Sequence, residues 1–433
     1  MKYSLLPLAL LATVPAVLGQ NATFLTGFRN ALDAANLTSF ASATEELNTT
    51  VAGRDILAAI SSGQPFLLFA PNNTALANGP SNSTTNITDL LSYHIVPGNF
   101  SGVKTTYPNI TLGRTLLNDS SLVHLEGNKS QVVAWATFLD NKTHVLNQNN
   151  NTEVTNVTTY GNITVYTVTS VLEYPGTFED LVLYDNISLT GFNSTLGNIS
   201  IPYYNSTTGS ENDTVVFDII SDLRGFTLFA PSTCAIEELL GQLLVLEDNT
   251  TLLEIILDNH FINGTSVYSP QLVGANYTSA GGENLTFSIN ATGQYVTSAN
   301  TTAHIIQPDL LLWNGVVHII DQVLLNTKEN ATIASSAAAS ATSAAAQNAT
   351  ASVTGPIGFS QTASLSAKSS ASGSKSSSAS SSASSSASSS ASSSASSSSS
   401  ASSSPSSSTS SSPSTSASTS TSSSTSTSVS SSA

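Results

Sequence analysis

Phe226-Thr227-Leu228-Phe229-Ala230-Pro231-Ser232-Thr233-Cys234-Ala235-Ile236 reads as a strand that turns into a helix. The apolar, β-prone run Phe226 to Ala230 is ended by Pro231, which cannot donate to a sheet ladder, and Ser232 then stands where a helix N-cap belongs. Ile236, Leu239, Leu240, Leu243 and Leu244 recur at helical spacing, and Glu237 and Glu238 sit near the N-terminal end, where acidic groups suit the helix dipole. The same passage occurs earlier as Phe66-Leu67-Leu68-Phe69-Ala70-Pro71-Asn72-Asn73-Thr74-Ala75-Leu76. Phe66 and Phe226 are 160 positions apart, one domain length. Cys234, the only cysteine, follows the strand closely and is expected to be a small buried hydrophobe. A lone cysteine also means that no disulfide can form within the chain.

Further blocks repeat in the same order. Leu37-Thr38-Ser39-Phe40 is matched by Leu189-Thr190-Gly191-Phe192, and Leu90-Leu91-Ser92-Tyr93-His94-Ile95-Val96 by Ile256-Leu257-Asp258-Asn259-His260-Phe261-Ile262. In the second copy a helix is predicted from about Thr251, with Glu254 completing a capping box, toward His260. Ile87, Leu90 and Leu91 carry the same stripe toward His94. A Gly-containing turn follows each histidine, at Pro97-Gly98 and Asn263-Gly264, so each stands at a helix end. Both copies close on β-rich runs, Asn162 to Leu172 and Asn314 to Leu324, the latter expected to be largely buried. The fold class is α+β, with residues 20–174 as the first domain and 175–327 as the second.

Outside the repeat, composition sets the boundaries. Lys2, the apolar stretch Leu5 to Val14 and the small-residue exit at Val17-Leu18-Gly19 predict a signal peptide over residues 1–19, hence a secreted chain. From 328 to 433 Ser, Ala and Thr dominate, which predicts a disordered, O-glycosylated spacer. The final residues carry no apolar stretch, so no lipid anchor signal is expected there. No segment has the run of apolar residues needed to span a bilayer. Asn-x-Ser/Thr sequons recur throughout, among them Asn21, Asn36, Asn48, Asn109, Asn141, Asn186, Asn205, Asn276 and Asn300, and predict dense N-glycosylation. Asn162-Ile163-Thr164 lies inside an apolar alternation and is expected in a strand. A net charge of −16 with 11 Lys plus Arg argues against nucleic acid as a partner.

With these blocks together, the chain resembles the fasciclin (FAS1) family. The resemblance rests on Phe-Ala-Pro in both copies, Tyr93-His94 and Asn259-His260 at the centre, and the closing Asn314-Gly315-Val316-Val317-His318-Ile319-Ile320-Asp321. The first copy departs by placing Tyr166 and Thr169 where the closing strand has His and Asp. The resemblance implies two wedge-shaped β-sandwich domains with packed helices and an extracellular adhesion or matrix-binding role. Its partners would be matrix or cell-wall components, protein or polysaccharide. It also makes Tyr93, His94, Asn259, His260 and His318 the candidate positions, the Tyr-His segment taking part in receptor adhesion in animal members.

The residues themselves favour a structural role for the histidines, because a histidine on an apolar helical face is buried and hydrogen-bonded to hold the domain. His318 and Asp321 are three apart in a strand and point to opposite faces, which argues against a joint metal or acid-base role. His304 with His318 makes a poor zinc site, and Asp140, Asp218 and Asp258 lack calcium-loop spacing. No nucleophile elbow, zinc-protease helix, phosphate loop or dinucleotide fingerprint occurs, so no enzyme activity and no cofactor are expected. Two competing readings are a structural wall glycoprotein without a specific ligand and a wall-polysaccharide hydrolase, whose two acids need only be near in space.

Overall fold

The computed structural model describes residues 21–79, 86–148, 151–184, 187–196, 200–205, 210–246, 250–348 and 354–358. The expected signal peptide, Asn186 and the Ser-rich stretch from 359 lie outside the described residues.

The first repeat begins with three helices, α1 (Ala22–Ala34), α2 (Thr38–Glu46) and α3 (Val51–Ile60). Strand β1 (Phe66–Pro71) leads to α4 (Asn73–Ala77) and α5 (Ile87–Tyr93). Strands β2 (Ile95–Pro97), β3 (Thr111–Arg114), β4 (Val132–Thr137), β5 (Thr143–Val145), β6 (Thr152–Tyr160) and β7 (Ile163–Val168) complete a seven-stranded sheet ordered β2-β1-β7-β6-β5-β4-β3. β1 runs parallel to β7, which brings the two ends of the repeat together at its centre.

The second repeat opens with α6 (Phe178–Val182) and α7 (Thr190–Leu196), adds a hairpin of β8 (Ser200–Asn205) and β9 (Ser210–Val215), and continues with α8 (Val216–Asp222). Then come β10 (Phe226–Pro231), α9 (Thr233–Leu246), α10 (Thr250–Asp258), β11 (Phe261–Asn263) and α11 (Ser269–Leu272). Strands β12 (Asn276–Thr278), β13 (Asn284–Asn290), β14 (Gly293–Ser298), β15 (Thr301–Leu311) and β16 (Val316–Ile320) complete a sheet ordered β11-β10-β16-β15-β14-β13-β12, the same order as in the first repeat.

Strand alternation explains why β1 and β10 are apolar at nearly every position. Phe66, Leu68 and Ala70 face the helices with Ile163 and Val165, while Leu67 and Phe69 face the sandwich interior with Val133, Trp135 and Val145. Phe226, Leu228 and Ala230 likewise meet the helices, and Phe229 meets Leu285, Val296 and Ile305. A strand covered on both faces has no position at which a polar side chain is free.

Four local expectations need correction. Cys234 is exposed, because the first turn of α9 directs Ala235 and Ile236 to the core instead. Asn162 is exposed in the turn between β6 and β7, its amide donating to the Gly63 carbonyl at 2.5 Å. Helix α10 already includes Thr250, so Thr251 lies within the helix and is not its cap. The region expected to be disordered from 328 instead starts with helix α12 (Ala331–Asn348), begun by Asn330, whose Oδ1 accepts from Ile333 N at 3.1 Å. Alanine is the best helix former, and this stretch contains no Gly or Pro to interrupt it. Residues 354–358 then bond to β2 and β3 of the first repeat: Gly355 N donates to Pro97 O and Ile357 N to Leu112 O, both at 2.9 Å.

The repeats meet across the outer face of β3 and β4. Ile110, Leu112, Val132, Ala134, Ala136 and Leu146 form one apolar cluster with Tyr268, Leu311, Val316 and Ile357. Polar groups fix the register around it. Gln131 Nε2 donates to Leu312 O at 3.1 Å, Asn147 Nδ2 to Asp309 O at 2.9 Å, and His124 N to Trp313 O at 2.7 Å, with the His124 and Trp313 rings stacked 4.1 Å apart. Glu126, 4% exposed, is held by Lys129 and by Ser266 Oγ of the second repeat.

Candidate functional site

Helices α5 and α10 deliver His94 and His260 to the same place in each repeat. His94 Nδ1 donates to Leu90 O at 2.7 Å, and Nε2 accepts from Leu172 N at 3.0 Å. His260 repeats this with Ile256 O at 2.7 Å and Leu324 N at 2.9 Å. Each imidazole therefore ties a helix end to the backbone that leaves the closing strand, and the two bonds fix the Nδ1–H tautomer. Both rings are buried. Burial, partly offset by the bond to the helix carbonyl, pushes each pKa down to about 4.

The neighbours of the two histidines are also buried. The Tyr93 hydroxyl donates to Val132 O at 3.3 Å, and its ring packs edge-on against Tyr174. Asn259 Nδ2 donates to Asn326 O at 3.1 Å and Lys328 O at 2.9 Å, while its Oδ1 accepts from Ser279 Oγ at 2.7 Å. In the folded chain neither pair is presented to a partner.

His318 lies on the sandwich side of β16, stacked on Phe229, and is fully buried. Its Nδ1 accepts from Asp309 N at 3.2 Å and its Nε2 donates to Val267 O at 2.9 Å. The Asp309 carboxylate takes Ser269 N and Ser269 Oγ. Ser, Asp and His thus come close together, but both imidazole nitrogens bond to backbone and the Ser269 hydroxyl bonds to Asp309, so the arrangement lacks the nucleophile–base contact of a catalytic triad. Tyr166 occupies the equivalent register opposite Phe69. Asp321 Oδ1 accepts from His304 N at 2.7 Å, and Thr169 Oγ1 accepts from Glu153 N at 3.2 Å, so in the first repeat threonine fills the role that aspartate has in the second. His304 and His318 are not brought into a common cluster, and among the described residues no group of His, Cys, Asp and Glu is placed to hold a metal.

The described sequon asparagines Asn21, Asn36, Asn48, Asn109, Asn141, Asn276 and Asn300 are all exposed. A cleft of about 210 Å3 that no sequence pattern signals opens at the junction of the repeats, lined by Tyr107, Phe138, Glu173, Tyr184 and Gln307 among others.

The histidines set a pH dependence. An unfolded histidine takes up its proton near pH 6.5, whereas His94 and His260 resist it until about 4. Their stabilising effect is complete above 6.5 and is lost as pH falls toward 4, by about 3 kcal/mol per ring. In the second repeat the Asp258 carboxyl works against this, being pushed up to about 7 by burial and by Glu254 and Glu329. It keeps its proton where the unfolded chain loses it, so it destabilises the fold as pH rises and relieves it as pH falls. Asp309 and His318, displaced up and down respectively by burial, also oppose one another. Amide exchange at pH 7 and pH 4.5, corrected for intrinsic rates, should therefore show protection falling more in the first repeat than in the second. Equal losses would contradict this assignment.

The fasciclin domain family model matches residues 206–326. No curated protein matches the chain. Among solved structures, a FAS1 domain pair from the insect cell adhesion molecule Fasciclin I matches with 16% identity, covering 68% of this chain and 98% of that one, at a TM-score of 0.32. Residues 206–326 match a fasciclin domain, and the first repeat has the same strand order and the same histidine clamp as that domain.

Proposed function

We propose that the chain is a secreted or cell-wall adhesion glycoprotein that acts by non-covalent recognition through its paired fasciclin repeats. The observation that carries this reading is the fasciclin match over residues 206–326, a domain type found in adhesion proteins. The burial of Tyr93, His94, Asn259 and His260 moves recognition away from the central motif and onto the outer surface and the junction. In this reading N-glycans on the exposed sequons cover part of that surface, and the Ser-rich stretch acts as an O-glycosylated spacer. The partners are matrix or wall components, protein or polysaccharide.

The test is binding of the purified full chain to intact cells, to wall material and to matrix proteins, before and after enzymatic removal of its N-glycans. Saturable binding that survives deglycosylation is expected. Absence of saturable binding, or its loss with the glycans, would leave a structural glycoprotein. Release of reducing sugar from wall polysaccharide would turn the reading toward a hydrolase.

A further inference from the structure

Most of the contact between the repeats is closed, but beside the linker that joins them it opens into the cleft of about 210 Å3. Its apolar base includes Leu146, Leu310 and Leu311. Tyr107 and Phe138 stack on one another on the first repeat's side, ring centres 4.9 Å apart and planes 13° from parallel. Tyr184, 37% exposed, stands on the second repeat's side. Glu173 and Asp180 line the cleft with Tyr184, and burial and then their charges raise the pKa of the Tyr184 hydroxyl.

The walls are fixed before any ligand arrives. Gln148 Oε1 accepts from Glu173 N at 2.6 Å and its Nε2 donates to Glu173 O at 3.3 Å, holding the linker. Asn147 bonds Asp309 O and Leu311 N of the second repeat. With the backbone held this way, Glu173 and Gln307 line the cleft, and among the described residues their side chains have no hydrogen-bond partner. A preorganised site loses less on binding than one that must be ordered first.

We propose that this cleft is a binding site for a neutral sugar ring within a glycan chain. A pyranose presents C–H faces that pack on aromatic rings and a rim of hydroxyls that both donate and accept. The lining offers both surfaces: flat rings at Tyr107, Phe138 and Tyr184, a carboxylate acceptor at Glu173, and an amide at Gln307 that donates and accepts. Among the described residues none of the lining side chains is basic, so a uronate or a phosphate would meet Glu173 and Asp180 without a counter-charge. The volume is below the roughly 300–1,000 Å3 of pockets that enclose drug-sized ligands, so one ring is held while the chain continues into solvent.

The proposal rests on the reading of the chain as a recognition protein. Its test is titration of the full chain, N-glycans trimmed to the first sugar, with tetramers of glucose, mannose and N-acetylglucosamine, and with a uronate and a glucosamine tetramer as controls. At least one neutral tetramer should bind saturably with a Kd of about 10 μM to 1 mM. Tyr184→Ala and Glu173→Gln should each weaken it by about fivefold or more without moving the thermal midpoint. The assignment is overturned if no neutral tetramer binds, if both variants bind as the parent does, or if the glucosamine tetramer is preferred to its N-acetylated counterpart. The two readings fail separately. Full wall binding by both variants removes this site and leaves adhesion standing, whereas a parent chain that binds no wall material removes adhesion whatever the tetramers do.

Discussion

His260→Ala should lower the thermal midpoint of the chain by about 10 °C, and His94→Ala should do the same to the first repeat. The change empties a buried ring position and leaves two backbone groups without partners, Ile256 O and Leu324 N in one case, Leu90 O and Leu172 N in the other. An unpaired buried polar group costs about 1–3 kcal/mol, and the cavity adds to it, giving about 3–5 kcal/mol for each histidine. For units of this size about 1 kcal/mol moves the midpoint by roughly 2–4 °C. Calorimetry on each single variant reads the effect, and wall binding measured below the new midpoint separates structure from recognition. A variant that keeps its midpoint but loses binding would make the histidine a contact residue and would contradict the clamp.

That clamp was legible in the sequence because its parts are local. A helical stripe ending in histidine, followed by an apolar pair and a Gly turn, fixes where the ring stands, and burial then demands partners. What periodicity could not supply was the identity of those partners, since Leu172 and Leu324 are 78 and 64 residues away in sequence. The strand-to-helix switch at Pro231 was readable for the same local reason, and Ser232 Oγ accepts from Ala235 N at 3.3 Å as a cap. Cys234 departs from expectation because the burial of the strand does not extend to every position of the helix turn that follows it.

The junction of the repeats does leave a signal in the sequence. Val132-Val133-Ala134-Trp135-Ala136 is apolar at every position, whereas a strand with one face in water should alternate. Val133 and Trp135 fill the sandwich, and Val132, Ala134 and Ala136 are left for a partner, which proves to be the second repeat. The cleft beside it is harder to see, because its lining comes from segments spread between Tyr107 and Leu312. Composition also hid the ordered start of the tail, since Ala and Ser in mixture suit a helix as well as a disordered spacer.

Removing residues 331–358 should destabilise the pair of repeats by about 2–4 kcal/mol, the range expected for losing one large apolar anchor and its backbone bonds. Ile357 is 5% exposed and packs with Leu112, Leu311 and Tyr268, so one side chain touches both repeats. Gly355 N and Ile357 N satisfy Pro97 O and Leu112 O on strands that would otherwise end in open carbonyls. Two glycines of the first repeat are shaped to this segment: a Cβ on Gly98 would strike the Gly355 backbone, and one on Gly127 the Ala345 carbonyl. The segment therefore works as a strap, and Ile357→Asp should release it, because a carboxylate cannot stay unpaired among those side chains. The deletion and the point variant should converge on one midpoint, about 5–10 °C below the parent. A chain ending at 358 should melt with the full chain. If the chain ending at 330 melts with it too, the strap contributes nothing and the repeats are held by their own contact alone.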